Sequence, residues 1–77
     1  MIKEGDKALL EKFGTRLSEL RAKKELSLRQ LSYLSNLDHS TIGKIEKGLI
    51  NITFTTLVEL ARALEVHPQE LLDIKFD

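Results

Sequence analysis

The chain has 77 residues, 42% of them apolar, with twelve Lys/Arg against twelve Asp/Glu and no cysteine. That length fits one small domain burying about 60% of its unfolded surface, and the apolar content suits a folded core. The lack of cysteine excludes disulfides, a thiol nucleophile and a Cys-containing zinc site. No apolar run approaches the ~18 residues of a membrane span and no signal-peptide pattern opens the chain, so a cytoplasmic protein without membrane contact is expected.

Charge is unevenly spread. Residues 1–48 carry ten Lys/Arg and seven Asp/Glu, whereas residues 49–77 carry two and five. The chain thus runs from mildly basic to mildly acidic. This is either a polyanion-binding end or a chance fluctuation of surface charge.

Leu10, Phe13, Leu17 and Leu20 recur at i, i+3, i+7 and i+10, predicting an amphipathic first helix over about 7–25. Ser27 and Gln30 form a capping box, which starts a second helix at Leu28 running to about Ser35, with Leu31, Ser32 and Ser35 inward. Asn36 suits the left-handed position of a turn. Asp38 caps a third helix from His39 to Lys47, stopped by Gly48. Residues 49–52 form a loop. Thr53 caps a fourth helix from Phe54 to Leu64, with Leu57, Leu60, Ala61 and Leu64 inward. Pro68 suits the first position of a short fifth helix, with Glu70 in its first turn. No alternating run suggests a strand. The expected fold is therefore all-α: one compact five-helix domain over 1–77, with a helix-turn-helix at helices two and three.

Within the third helix only Ile42 and Ile45 are apolar, and with Leu37 they anchor one side. At ~100° per residue, His39, Ser40, Gly43, Lys44 and Lys47 share the opposite face. A DNA major groove accepts such a helix, with side chains reading base edges and lysines meeting phosphates; a solvated helix face is the plain alternative. Gly43 costs ~1 kcal/mol relative to Ala. It either permits close approach to DNA or is simply a tolerated small residue. Asp38-His39-Ser40 has the residue types of a catalytic triad, but consecutive residues at a helix start splay apart and cannot align the two hydrogen bonds a triad needs. A cap and two exposed side chains are expected instead. His39 and His67 fall in different elements, so no metal site, cofactor or enzymatic activity is expected. Tyr33 and Leu34 either cover core edges or extend an interface. Leu71, Leu72, Ile74 and Phe76 exceed what a short helix needs for the core, and several together suggest a dimer contact within about 64–77.

The segment LSLRQLSYLSNLDHSTIGKIEKG, residues 26–48, resembles the helix-turn-helix of the Cro/C1-repressor (XRE) family. NITFTTLVELARALEV continues the likeness, which covers about residues 13–73. Its landmarks are Leu31, Ile42, Ile45-Glu46 with Gly48, and Leu60-Ala61 with Leu64. The resemblance implies a lambda-repressor-like fold and a transcription regulator that binds double-stranded DNA as a homodimer on a palindromic operator. The short length and the Asn51-Ile52-Thr53 loop look most like the controller proteins of restriction–modification systems. An antitoxin or anti-repressor that mainly grips a partner protein shares the same frame.

By position, the resemblance puts His39, Ser40 and Lys44 at base-reading sites, and Thr41, Lys47, Asn51 and Thr53 near phosphates or the groove edge. It pairs Arg21 with Glu46 as a structural tie. There are departures. Leu28 stands where many members have a phosphate-binding Gln, which leaves Arg29 as the phosphate candidate. Ser32 and Asn36 replace the usual Ala and Gly, and Ile50 replaces a basic residue common among controllers.

Overall fold

The computed structural model describes residues 4–76, with side chains from Asp6 onward; residues 1–3 and 77 of the expected 1–77 domain lie outside the described part. Among the described residues there are five helices: α1 Glu4–Lys23, α2 Leu28–Ser35, α3 His39–Glu46, α4 Phe54–Leu64 and α5 Pro68–Leu71. Polar caps start three of them. Ser27 Oγ accepts from Gln30 N at 3.0 Å while Gln30 Oε1 accepts from Ser27 N at 2.8 Å. The Asp38 carboxylate accepts from Ser40 N, and Thr53 Oγ1 from Thr56 N. These bonds occupy amide donors that have no partner within the helix.

Helix ends are set differently. After α1, Leu26 N donates to Arg21 O at 3.1 Å and Glu25 N to Ala22 O at 2.9 Å, with Glu25 left-handed at φ 58. The same paired bonds close α3 at Gly48 and α4 at Glu65. This is the Schellman arrangement, and the residue after the left-handed one packs back on the core; Leu26 and Val66 do so. A left-handed Glu25 stops α1 two residues before the expected end, and α1 also begins before the expected residue 7. In α3, Lys47 is the cap rather than the last helical residue.

Leu17, Leu31, Ile42, Ile45, Leu60, Leu64 and Leu71 are fully buried, joined by Phe13, Leu20, Leu57 and Ala61. Leu10 of the expected first-helix stripe is only half-buried. α3 packs on α1 and α2, α2 also on α4, and α5 on α1 and α4. The α2–α3 turn is held by serines: Ser32 Oγ donates to Leu37 O, and buried Ser35 Oγ accepts from Leu37 N at 3.3 Å. Ser32, expected to face inward, is half-buried with its hydroxyl occupied by the turn.

Leu71 is 0% exposed, so its side chain lies in the core of its own chain and cannot also form a dimer contact. Leu72 and Phe76 remain exposed and Ile74 half-buried. Tyr33 and Leu34 are 74% and 55% exposed, so neither seals the core. No helix among the described residues is long and apolar enough to cross a membrane.

Candidate nucleic-acid interface

α3 owes its position to an inner side fixed at several points. Ile42 and Ile45 are buried in the core. At the C-terminal end, Arg21 Nε donates to Glu46 Oε2 at 2.6 Å and Arg21 Nη2 to Glu46 Oε1 at 3.0 Å, while Nη1 donates to Leu26 O at 2.8 Å. The side chains are only 18% and 11% exposed. Bidentate pairing of this kind fixes direction as well as distance, and the hydrogen bond to Glu46 holds the Arg21 guanidinium pKa above its usual value. Glu46 is thereby withdrawn from the outward face.

Two glycines bring α1 against the same end. A Cβ on Gly14 would collide with the carbonyl oxygen of Glu46 and lie 2.5 Å from that of Ile45. Gly48 has φ +76, and a Cβ there would lie 2.6 Å from Glu11 Cγ and 2.8 Å from Glu11 Cα. Backbone therefore meets backbone where α1 crosses α3, and only glycine leaves room. Sequence reasoning found Gly48 as a stop signal but missed Gly14, because a glycine inside a helical pattern does not reveal what crosses it.

With the inner side accounted for, His39, Ser40, Lys44 and Lys47 are exposed and Thr41 half-buried. Arg29 is exposed in the first turn of α2, and Asn51 and Thr53 are exposed between α3 and α4. Thr53 is engaged at the start of α4: its hydroxyl accepts from Thr56 N at 3.2 Å and contacts the Thr55 and Thr56 hydroxyls at 3.1 and 3.0 Å. The protein's own packing does not demand a glycine at position 43, since a Cβ there would meet only Leu28 Cδ1 at 3.7 Å.

At the N-terminus of α3 the side chains do more than splay. Ser40 Oγ donates to Asp38 Oδ2, and His39 Nδ1 lies 4.0 Å from Asp38 Oδ1. Both neighbours address the carboxylate, and the hydroxyl proton points to Asp38 rather than to an imidazole. A nucleophile–base relay requires the reverse. The Ser40 hydroxyl bond is the chief reason that the Asp38 pKa lies below its usual value, helped by the Ser40 backbone amide, the nearby His39 and the Thr41 amide against a smaller opposing effect of burial. A depressed folded pKa contributes stability above the unfolded value, lost as pH falls through the folded one. Asp38 is therefore ionised at neutral pH. Among the described residues, no group of three or more His, Cys, Asp or Glu could hold a metal ion.

Two cations of α1 are occupied elsewhere. Arg16 Nε donates to Glu70 O at 2.7 Å with a guanidinium nitrogen 3.8 Å from Asp73, and Lys12 Nζ donates to Lys75 O at 3.0 Å. Part of the basic character of residues 1–48 is thus spent on fastening the C-terminal segment to α1. Beside that segment, an apolar groove of about 200 Å³ runs along α1 and α4, where Leu9, Phe54, Leu72 and Phe76 are exposed.

Residues 17–71 match the HTH_3 helix-turn-helix family. The chain is 31% identical over 62 residues to the control protein C.BamHI of Bacillus amyloliquefaciens, covering 79% of this chain and 76% of that protein. Among solved structures it is similar to the restriction–modification controller protein C.AhdI of Aeromonas hydrophila, at 47% identity and TM-score 0.82, covering 83% of this chain and 97% of that one. The clp gene regulator ClgR of C. glutamicum superposes with TM-score 0.79 at 26% identity, covering 83% of each chain. These relatives are regulators and not enzymes. The chain belongs to the HTH_3 helix-turn-helix family and is a DNA-binding regulator of transcription.

Proposed function

We propose that this regulator acts in the cytoplasm as a homodimer on a palindromic operator and controls the genes of a restriction–modification system. The observation that carries the DNA-reading face is the exposed set His39, Ser40, Lys44 and Lys47 on a helix whose inner side is pinned by Ile42, Ile45 and the Arg21–Glu46 pair. His39, Ser40 and Lys44 read bases, while Arg29, Thr41, Lys47, Asn51 and Thr53 meet phosphates or the groove edge. Phosphate contacts fix register and base contacts give preference. Support for the genetic role is the 47% identity to C.AhdI, a restriction–modification controller, over nearly its whole length.

The dimer contact is built from Leu72, Ile74 and Phe76, extended across the groove by Leu9 and Phe54. Exposed apolar groups clustered in this way mark an interface more often than scattered ones do. α3 packs on α1 and α2 whereas α5 packs on α1 and α4, so an α5-side contact leaves α3 of each protomer open to a half-site. Two such helices would address sites about 34 Å apart, one turn of duplex.

Alanine replacement separates base reading from phosphate contact. Lys44→Ala should weaken binding to a selected duplex by about tenfold and relax preference at one position per half-site. Lys47→Ala should weaken all sequences alike and flatten the salt dependence of log K by about one unit per protomer. Unchanged affinity of Lys44→Ala for the selected duplex at moderate salt would remove Lys44 from the base-reading set.

A further inference from the structure

The N-terminal end of α3 holds its polar groups in a fixed donor–acceptor order. Asp38 Oδ2 receives both Ser40 N, at 3.2 Å, and the Ser40 hydroxyl. A serine hydroxyl has one proton and two lone pairs. With that proton directed to a carboxylate, an exposed Ser40 offers only lone pairs outward. The major groove presents donors at adenine N6 and cytosine N4, and acceptors at guanine N7 and O6 and thymine O4. An oxygen without a free proton gains a hydrogen bond from an amine and none from a keto oxygen.

We infer that Asp38 is a specificity-determining positioning residue: by holding the Ser40 proton it makes Ser40 an acceptor that selects the exocyclic amine of adenine or cytosine. This rests on Ser40 lying at a base-reading position. Asp38 acts through Ser40, so its removal changes which groups on the base are tolerated and not merely how tightly DNA is held. Glycine is a suitable replacement, because it serves as an N-cap with little loss, accepts the backbone angles φ −69 and ψ 141 and removes the carboxylate completely.

The test begins with selection of bound duplexes by wild type and by Ser40→Ala, which identifies the base pair whose preference Ser40→Ala flattens. Replacing the amine-bearing base of that pair by its amine-free analogue, purine for adenine or 2-pyrimidinone for cytosine, should weaken wild type by about tenfold and leave Ser40→Ala unaffected. Asp38→Gly, with helical content checked by circular dichroism, should lose less than about twofold, because its freed hydroxyl donates instead to the keto oxygen of the opposite base, thymine O4 or guanine O6. Insensitivity of wild type to amine deletion overturns the inference, as does a folded Asp38→Gly that remains as sensitive as wild type. If Asp38→Gly does not fold, the wild-type and Ser40→Ala arms still decide the amine question. Identical selected sites for wild type and Ser40→Ala would instead remove the base-reading role of Ser40.

Discussion

Gly14→Ala is expected to destabilise the fold by about 3 kcal/mol, lowering the melting temperature by on the order of 15 °C. In an isolated helix the same change would stabilise by up to ~1 kcal/mol, since glycine loses more backbone freedom on folding. Tertiary packing reverses the sign. The added methyl would collide with the Glu46 carbonyl and stand 2.5 Å from that of Ile45. Both obstacles are backbone in the last turn of α3, and neither can rotate away as a side chain would. Relief requires α1 and α3 to separate, which opens the core around Leu17, Ile42 and Ile45. Gly43→Ala is the internal control. Its methyl would meet only Leu28 Cδ1 at 3.7 Å, an ordinary contact, so the propensity gain survives and melting rises by about 5 °C. Thermal melts of the two variants give opposite shifts if backbone approach is the reason for Gly14. If Gly43→Ala is stabilised yet binds DNA more weakly, Gly43 serves close approach to the groove.

The second large effect concerns the tie between α1 and α3. Arg21→Ala should cost about 3 kcal/mol, because it leaves the mostly buried Glu46 carboxylate and the Leu26 carbonyl without their donor. A domain of this size has total stability on the order of 4 to 12 kcal/mol, so this loss is a large share. Removing both charges is a different matter. Arg21→Met combined with Glu46→Leu should recover most of the loss, since a matched apolar pair carries no stranded charge. Urea unfolding of the single and double variants measures the coupling. A double variant as unstable as Arg21→Ala would mean that the loss comes from the Leu26 carbonyl, which lacks its donor in both variants, and not from the unpaired carboxylate.

Much of this molecule can be read along the chain because its helix starts are chemical. Ser27, Asp38 and Thr53 each supply an oxygen to a free amide, and each marks its helix start in the structure. Helix ends were harder to read. Gly48 is a visible stop, but Glu25 and Glu65 take the same left-handed conformation with nothing in their side chains to announce it. α4 could still be bounded from the apolar spacing that ends at Leu64, whereas the end of α1 was placed two residues late.

The outward face of α3 is legible for a related reason. Two isoleucines three apart fix the inner side, and helical geometry leaves His39, Ser40, Lys44 and Lys47 outside. What periodicity does not carry is contact between elements. It could not say that Gly14 lies under a carbonyl, or that Lys12 and Arg16 are occupied with the C-terminal segment. Nor could it sort four apolar residues near the end of the chain, among which Leu71 turns into the core and its neighbour Leu72 turns out. The Asp38–Ser40 bond was missed because consecutive residues at a helix start were expected to diverge, while a cap carboxylate has lone pairs to spare for the residue two positions on.

Selecting bound sites from random duplexes and measuring stoichiometry on the enriched sequence decides whether a dimer reads a palindrome through α3. An inverted repeat with half-site centres about 10 base pairs apart, two protomers per duplex, and affinity that falls steeply with salt are the expected result. Enrichment of no site, or of a single unrepeated half-site bound by one protomer, would contradict it.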